Sequence, residues 1–249
     1  MLLSEPPSTR YDLCFHLLRI PVRVHPIFWA VALLFGLSGN SEPKAMLIWV
    51  GAVFVSILVH EMGHALLAQA HGWPPHITLY GMGGLASYRP TYHATGSQIA
   101  ITAAGPLAGF LFAALLCGAI AVSGHDIEFR WSPGDLLPVR MAPFATDQAN
   151  WIVADLLYIN VFWGLVNLLP IYPLDGGQIA RELIGLVDPA GSVRTSLWLS
   201  VIAAAGMAFI AYTRLHNEYL AFFFGYLAYM SYQAVQSAFG PRGSSGGFP

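Results

Sequence analysis

Hydrophobic residues in this chain form long runs that are separated by short polar segments. A helix needs about 20 mostly apolar residues to cross a bilayer, and six runs reach or approach that length. We therefore predict an all-α polytopic membrane protein with about six transmembrane helices. The predicted spans cover residues 26–39, 45–70, 99–123, 151–170, 196–212 and 219–238.

Two segments beside these spans carry the shorter patterns that are typical of strands. Residues 18–24, before the first span, alternate and predict an extended strand at the membrane interface. Residues 77–88, between the second and third spans, contain two short β-like runs around a glycine turn and predict a β-hairpin. A hairpin edge can hold an extended peptide by strand addition; the alternative is a plain surface loop.

Composition supports a membrane protein. Of the 249 residues, 56% are hydrophobic and 10% are charged, whereas about 25% are charged in an ordinary globular domain. The net charge is −2 without a basic block, so nothing indicates a nucleic-acid partner. Cys14 and Cys117 lie far apart, which argues against a disulfide framework or a thiolate metal site. We expect one domain over 1–249, without a cleavable secretion signal and with a disordered Gly/Ser-rich tail at 240–249.

The distribution of basic residues predicts an orientation. Six spans place both termini on one side, and that side then holds seven arginines against four basic residues on the other. The positive-inside rule therefore predicts cytoplasmic termini and an external acidic loop at 124–150. The cytoplasmic set is Arg10, Arg19, Arg23, Arg89, Arg181, Arg194 and Arg242, and the external set is Lys44, Arg130, Arg140 and Arg214.

The second span contains His60-Glu61-Met62-Gly63-His64. Positions i and i+4 share a helix face, so both imidazoles can reach one metal ion, with Glu61 beside them as a candidate base. Metal-binding groups at membrane depth are costly and tend to mark functional sites. We therefore predict a zinc site here. The alternative is two hydrogen-bonded histidines that face the helix bundle.

Catalytic zinc usually takes three protein ligands, so a third one is needed. His71 misses the third-histidine spacing of known zinc proteases by one residue, and we interpret it as a polar helix end. Asp175 is a better candidate because two prolines and two glycines between positions 170 and 177 break the fourth span around it. Such irregular backbone is tolerated at membrane depth only inside protein or beside water. The alternative is an ordinary turn outside the bilayer.

Asn167 is predicted to lie two turns before the break in the fourth span. Its side-chain amide could donate a hydrogen bond to the substrate or to an oxyanion. A hydrogen bond between packed helices is the alternative.

The motif at 60–64, followed by Asn167-Leu168-Leu169-Pro170 and Pro173-Leu174-Asp175-Gly176-Gly177, resembles the site-2 protease family of intramembrane zinc metalloproteases, peptidase family M50. Ala104-Gly105-Pro106 matches a recurring family feature as well. The resemblance covers a catalytic core at about 45–180. It implies that His60, His64 and Asp175 bind one Zn²⁺ per chain, and that Glu61 is the catalytic glutamate.

The same resemblance extends to other regions. Residues 19–29 are similar to the amino-terminal region of the sporulation-factor-protease branch, and the family has a membrane-reentrant hairpin where this chain has 77–88. The chain leaves no room for a PDZ domain between the catalytic spans or for a CBS pair, so regulation by those modules is not expected.

The resemblance implies cleavage of membrane-anchored protein substrates in or near their transmembrane segments, in a bacterial cytoplasmic membrane. The alternative is a non-catalytic zinc-binding scaffold or a metal transporter. A transporter would be expected to carry polar ligands on several spans, whereas charged groups within these spans are nearly confined to this site and Asp155. We interpret Asp155 as a helix-start or interfacial residue. Substrate identity and oligomeric state are not predicted.

Overall fold

The computed structural model describes residues 5–39, 42–81, 83–92, 94–125, 127–129, 139–141 and 143–239. These residues are mostly helical and include a small sheet. The helices are α1 (Pro26–Gly39), α2 (Pro43–Ala70), α3 (Thr95–Val122), α4 (Asp147–Tyr158), a π-helix (Ile159–Trp163), α5 (Gly164–Asn167), α6 (Asp175–Val187), α7 (Ser192–Thr213) and α8 (Glu218–Phe239).

Four helical stretches in the described part of the chain are long and apolar enough to cross a membrane. They are α2, α3, the continuous stretch Asp147–Asn167 and α7. Helix α1 has 14 residues and is therefore about 21 Å long, shorter than the roughly 30 Å bilayer core. Helix α8 has 22 residues but is not among the four. Helices thus occupy all six predicted places, and four of them meet the length and hydrophobicity of a span.

Helix α4 and the segment after α5 differ from the prediction. Helix α4 begins at Asp147, and the Thr146 hydroxyl caps it by accepting from the Ala149 amide at 3.4 Å. Asp155 lies inside this helix, so its interpretation as a helix start is wrong. The fourth predicted span ends at Asn167 rather than at residue 170, and an unpredicted helix, α6, begins at Asp175.

A four-stranded sheet contains β1 (Leu13–Leu17), β2 (Ile20–Val24), β3 (His76–Tyr80) and β4 (Gly83–Ser87), in the order β1-β2-β3-β4. Strands β3 and β4 form the predicted hairpin, and β2 corresponds to the predicted interfacial strand. These two features belong to one sheet, because β2 pairs parallel with β3 through Val22 and Ile77. The observed strand begins at Ile20, two residues later than predicted, because Leu18 and Arg19 form the β1–β2 turn with positive φ.

The sheet packs against α1 and α2 through a buried apolar cluster. Alternate residues of β2 and β3 face this cluster, as a period-two pattern requires. Met62 and Ala65 extend it on α2, next to the histidines of the metal motif. The other buried members are Ile20, Val22, Val24, Phe28, Ile77 and Leu79.

The chain divides into two compact units. Residues 1–93 and 103–166 form the first unit. It contains the sheet, α1, α2 and α4, and α2 packs against α4. Residues 94–102 and 167–249 form the second unit, in which α7 packs against both α6 and α8.

Some predictions fall on residues outside the described part of the chain. These are the disordered tail at 240–249 and residues 126, 130–138 and 142 of the external acidic loop. Two described segments inside that loop pair as short strands that were not predicted, β5 (Ile127–Phe129) and β6 (Val139–Met141).

Candidate metal centre

His60 and His64 project from one face of α2. Their Nε2 atoms lie 3.2 Å apart, and their ring centroids are 4.9 Å apart at an interplanar angle of 80°. A tetrahedral zinc ion about 2.0–2.1 Å from each nitrogen would hold the two atoms about 3.3 Å apart. The observed separation therefore suits two ligands of one ion.

Asp175 supplies a third candidate ligand. One ligand atom from each of His60, His64 and Asp175 lies within 4.8 Å of the others. Asp175 is buried and is the first residue of α6, where the helix dipole favours a carboxylate. Two imidazoles and one carboxylate are a donor set of hydrolytic zinc enzymes. These three residues can hold a metal ion, and the set fits zinc.

Glycines bring the backbone of α3 against the metal motif. A Cβ atom at Gly105 would clash with the imidazole of His64, and one at Gly63 would clash with the Ala104 carbonyl. The resemblance singled out Ala104-Gly105-Pro106 as a family feature without indicating which residues it contacts. In the structure Gly105 lies against the side chain of His64, and Gly63 lies against the backbone of Ala104.

Glu61 is 6% exposed and faces the edge strand β4. A Cβ atom at Gly84 would clash with the Glu61 side chain, whereas one at Gly83 would meet open space. Gly83 instead has a φ of +115°, a conformation that favours glycine. The two adjacent glycines therefore have different roles: Gly83 allows the backbone turn, and Gly84 makes room for the candidate base.

Asn167 is the last residue of α5 and is buried. It therefore lies at the break itself rather than two helical turns before it. Its role in catalysis stays a prediction.

Asn160, which lies in the π-helix, was not predicted from the sequence as part of this region. Its amide nitrogen donates to the hydroxyl of Ser56 and to the carbonyl of Leu156, both at 2.8 Å. Ser56 lies one turn before His60 on α2, so this bond joins the π-helix to the helix of the metal motif. π-Helical turns are frequent at functional sites. An asparagine inside an apolar run was the available signal.

Two other histidines of the first unit, His71 and His76, have partners of their own. His71 is the C-cap of α2, with Nδ1 2.8 Å from the Leu67 carbonyl oxygen. His76 contacts the Glu5 carboxylate, which also accepts from the Ser87 hydroxyl at 2.9 Å. His93 lies outside the described residues.

Glu5 is the centre of this small charged group on the sheet. Arg23 lies 3.6 Å from its carboxylate. Partial burial opposes ionisation, but the hydrogen bonds with Ser87 and His76 and the charges of His76 and Arg23 outweigh it and lower the pKa of Glu5. The group ties the amino-terminal segment to both strands of the hairpin.

A family model described as Peptidase family M50 matches residues 48–213. A proposed zinc metalloprotease of Synechocystis sp. is 31% identical over 178 residues, which are 66% of this chain and 42% of that protein. A zinc metalloprotease of Methanocaldococcus jannaschii is 26% identical over 172 residues, covering 68% of this chain and 44% of that protein. Stage IV sporulation protein FB of Bacillus subtilis is 26% identical over 204 residues, covering 77% of this chain and 59% of that protein.

The chain therefore spans about half the length of the curated relatives that it matches. A solved structure, the site-2 protease from Methanocaldococcus jannaschii, has a similar fold with a TM-score of 0.58. The match covers 90% of this chain and 95% of that one at 22% identity.

Proposed function

Because the chain belongs to peptidase family M50, we propose that it is an intramembrane zinc metalloprotease acting on membrane-anchored proteins. The family predicted from the sequence is confirmed by the family match and by relatives named zinc metalloproteases. We propose further that the chain cuts its substrates in or near their transmembrane segments, as in regulated intramembrane proteolysis.

The observation that carries this proposal is the buried Glu61 beside three groups that can hold a metal. His60, His64 and Asp175 are the proposed ligands of one zinc ion. When bound, zinc supplies a Lewis acid that lowers the pKa of water and polarises a carbonyl. Glu61 accepts the proton of the attacking water as the C–O bond forms, and returns it to the amide nitrogen as the C–N bond breaks. Asn167 is proposed to donate its amide to the substrate or the oxyanion.

The β4 strand is the proposed substrate-binding edge. It is the last strand of the sheet, and its residue Gly84 lies against Glu61. A peptide bond in a helix has its carbonyl engaged, so a substrate must unwind before it is cut. A segment added to β4 would be extended and would pass beside the proposed base. We propose that this hairpin is the reentrant element of the membrane domain.

The chain is an integral membrane protein with four described helical stretches that suit a bilayer. We propose six spans in a single domain, with cytoplasmic termini in a bacterial cytoplasmic membrane. The parallel pairing of β2 with β3 supports α1 and α2 as the first two spans, because these two helices carry the chain away from one sheet and back to it. The orientation can be tested by labelling single cysteines placed at Asp188 and His216, after Cys14 and Cys117 have been replaced. Reaction of both cysteines from the same side of the membrane would reject the proposed orientation.

The test of function is cleavage of single-span membrane proteins by the purified enzyme in liposomes. Glu61→Gln should abolish product, whereas the exposed control Glu218→Gln should retain it. Cleavage should rise when Gly or Pro is placed near the cut, because unwinding the helix then costs less. Zinc binding without any Glu61-dependent product across a broad panel would favour the alternative, a non-catalytic zinc-binding scaffold or a metal transporter.

A further inference from the structure

The irregular segment before Asp175 is held by two other helices of the same unit. The amide of Tyr172 donates to the Ser200 hydroxyl on α7 at 2.9 Å. The carbonyl of Tyr172 accepts from the Ser231 hydroxyl on α8 at 3.1 Å. Both serines are fully buried, at 1% and 0% exposure. Both backbone groups of one residue are therefore satisfied by side chains from two helices.

The orientation of the Ser200 hydroxyl is itself determined. It donates to the Ser196 carbonyl at 2.8 Å, one turn earlier on α7. Because its single proton is used there, a lone pair of the oxygen is available to the Tyr172 amide. Backbone outside a helix at membrane depth needs such partners.

The Tyr172 peptide also supports the first turn of α6. A Cβ atom at Gly177 would clash with the Ile171 carbonyl carbon and the Tyr172 nitrogen, and one at Gly176 would clash with the Leu168 and Leu169 carbonyls. The first turn of α6 therefore rests directly on this peptide. A shift of Tyr172 would move the turn that carries Asp175.

We infer that Ser200 and Ser231 are positioning residues that hold Asp175 where it can bind the metal. The inference rests on the proposed ligand role of Asp175. The two serines act through the backbone of Tyr172 and the glycines of α6, and they touch neither substrate nor metal. Helices α7 and α8 thereby become part of the support of the metal centre; Ser231 lies beyond the residues that the family model matches.

The experiment measures zinc affinity of purified full-length protein by chelator competition. Ser200→Ala and Ser231→Ala should each weaken zinc binding by about tenfold, the lower end of the range for groups that orient a ligand. Ser196→Ala is the matched control for α7, because this buried hydroxyl donates only to the Val193 carbonyl of its own helix. Ser237→Ala is the control for α8, with a bond to the Ala234 carbonyl. Both controls should bind zinc like wild type.

Two further variants separate positioning from general packing. Ser200→Thr keeps the hydroxyl and should restore most of the zinc affinity. Adding Ser200→Ala to Asp175→Ala should weaken zinc no further, because the ligand that it positions is already gone. The inference would be overturned if Ser200→Ala and Ser231→Ala bound zinc as tightly as the two controls. It would also be overturned if Ser200→Ala caused its full loss of zinc affinity when added to Asp175→Ala.

The outcome for Asp175 is distinguishable from the outcome for the serines. Wild-type zinc affinity in Asp175→Ala would remove the ligand role and with it the premise. Weakened affinity in Asp175→Ala with unchanged serine variants would reject only the positioning role. For variants that are unstable, hydrogen exchange can be measured in zinc-free protein. Residues 168–178 should exchange faster in Ser200→Ala, whereas the exchange of α7 should not change. Equal acceleration of exchange in α7 would overturn the inference.

Discussion

Gly105 of α3 leaves the space that the imidazole of His64 occupies, because any Cβ atom at position 105 would clash with that ring. The contact therefore has the backbone of α3 on one side and the side chain of a proposed zinc ligand on the other. Neither can move without changing the helix packing or the proposed zinc geometry.

Gly105→Ala should therefore weaken zinc binding by at least about tenfold, since it displaces a ligand directly. Zinc content after dialysis against a chelator measures this effect. Gly118→Ala on the same helix is the control, because a Cβ atom there meets no other atom within 4 Å. It should bind zinc normally and be neutral or slightly stabilising, since alanine favours the helix by up to about 1 kcal/mol. Normal zinc affinity in Gly105→Ala would show that His64 does not need this space.

The zinc ligands and the base should separate in a metal assay. His64→Ala and Asp175→Ala should lower the stoichiometry from about one zinc per chain, consistent with a three-ligand site. Glu61→Gln should keep its zinc and lose activity, because we assign Glu61 to proton transfer. Full zinc retention in Asp175→Ala would reject Asp175 as a ligand.

Gly83 and Gly84 should fail in different ways when they are replaced. Gly84→Ala should lower kcat while zinc stays bound, because the added methyl displaces the Glu61 side chain. Gly83→Ala should instead lower stability, by about 1–3 kcal/mol, because its φ of +115° strains any other residue. Thermal unfolding, zinc content and kcat measured on both variants check this division. Equal loss of kcat without loss of stability in both would contradict it.

The hydrogen bond between Asn160 and Ser56 should stabilise the pairing of the π-helix with α2. Bonds of this kind between membrane helices contribute about 0.6 kcal/mol on average and up to about 1.7 kcal/mol. A double-mutant cycle of Ser56→Ala and Asn160→Ala, followed by unfolding in mixed detergent, should give a coupling free energy in that range. Strict additivity would mean that the 2.8 Å contact adds nothing to stability.

Acid should release the amino-terminal segment from the hairpin. The pKa of Glu5 is lowered in the folded protein, so its contribution is present above the ordinary pKa of glutamate and is lost as the pH falls through the folded value. Titration below about pH 4.5 should therefore increase the mobility of a spin label placed at Ser8. The groups that interact with the Glu5 carboxylate are His76, Ser87 and Arg23. Attaching the spin label at one site requires replacement of Cys14 and Cys117.

Glu5→Gln supplies the control for that titration. This variant should show high label mobility at neutral pH and little further change on acidification, because it cannot lose a charge. A wild-type acid response in Glu5→Gln would assign the transition to another group.

The sequence alone determined where the six long apolar helical regions lie, though not the helix α6, and which residues are candidates for the metal. Both depend on local properties: a span is a length of apolar residues, and the i, i+4 spacing of His60 and His64 places them on one helix face whatever surrounds it. The break before Asp175 was equally visible, because proline and glycine act on the backbone at their own positions. The hairpin at 77–88 followed from its own short pattern.

Tertiary structure decided which distant segments meet. The parallel pairing of β2 with β3 joins residues 55 positions apart, such as Val22 and Ile77, and no periodicity encodes such a partner. The roles of Gly84 and Gly105 depend on the side chains that come against them, Glu61 and His64. Ser200 and Ser231 looked like ordinary polar residues in apolar helices until folding brought the Tyr172 backbone to them. The candidate residues of the site thus follow from local spacing along the chain. The contacts that hold these residues in place form only when the helices and the sheet pack together.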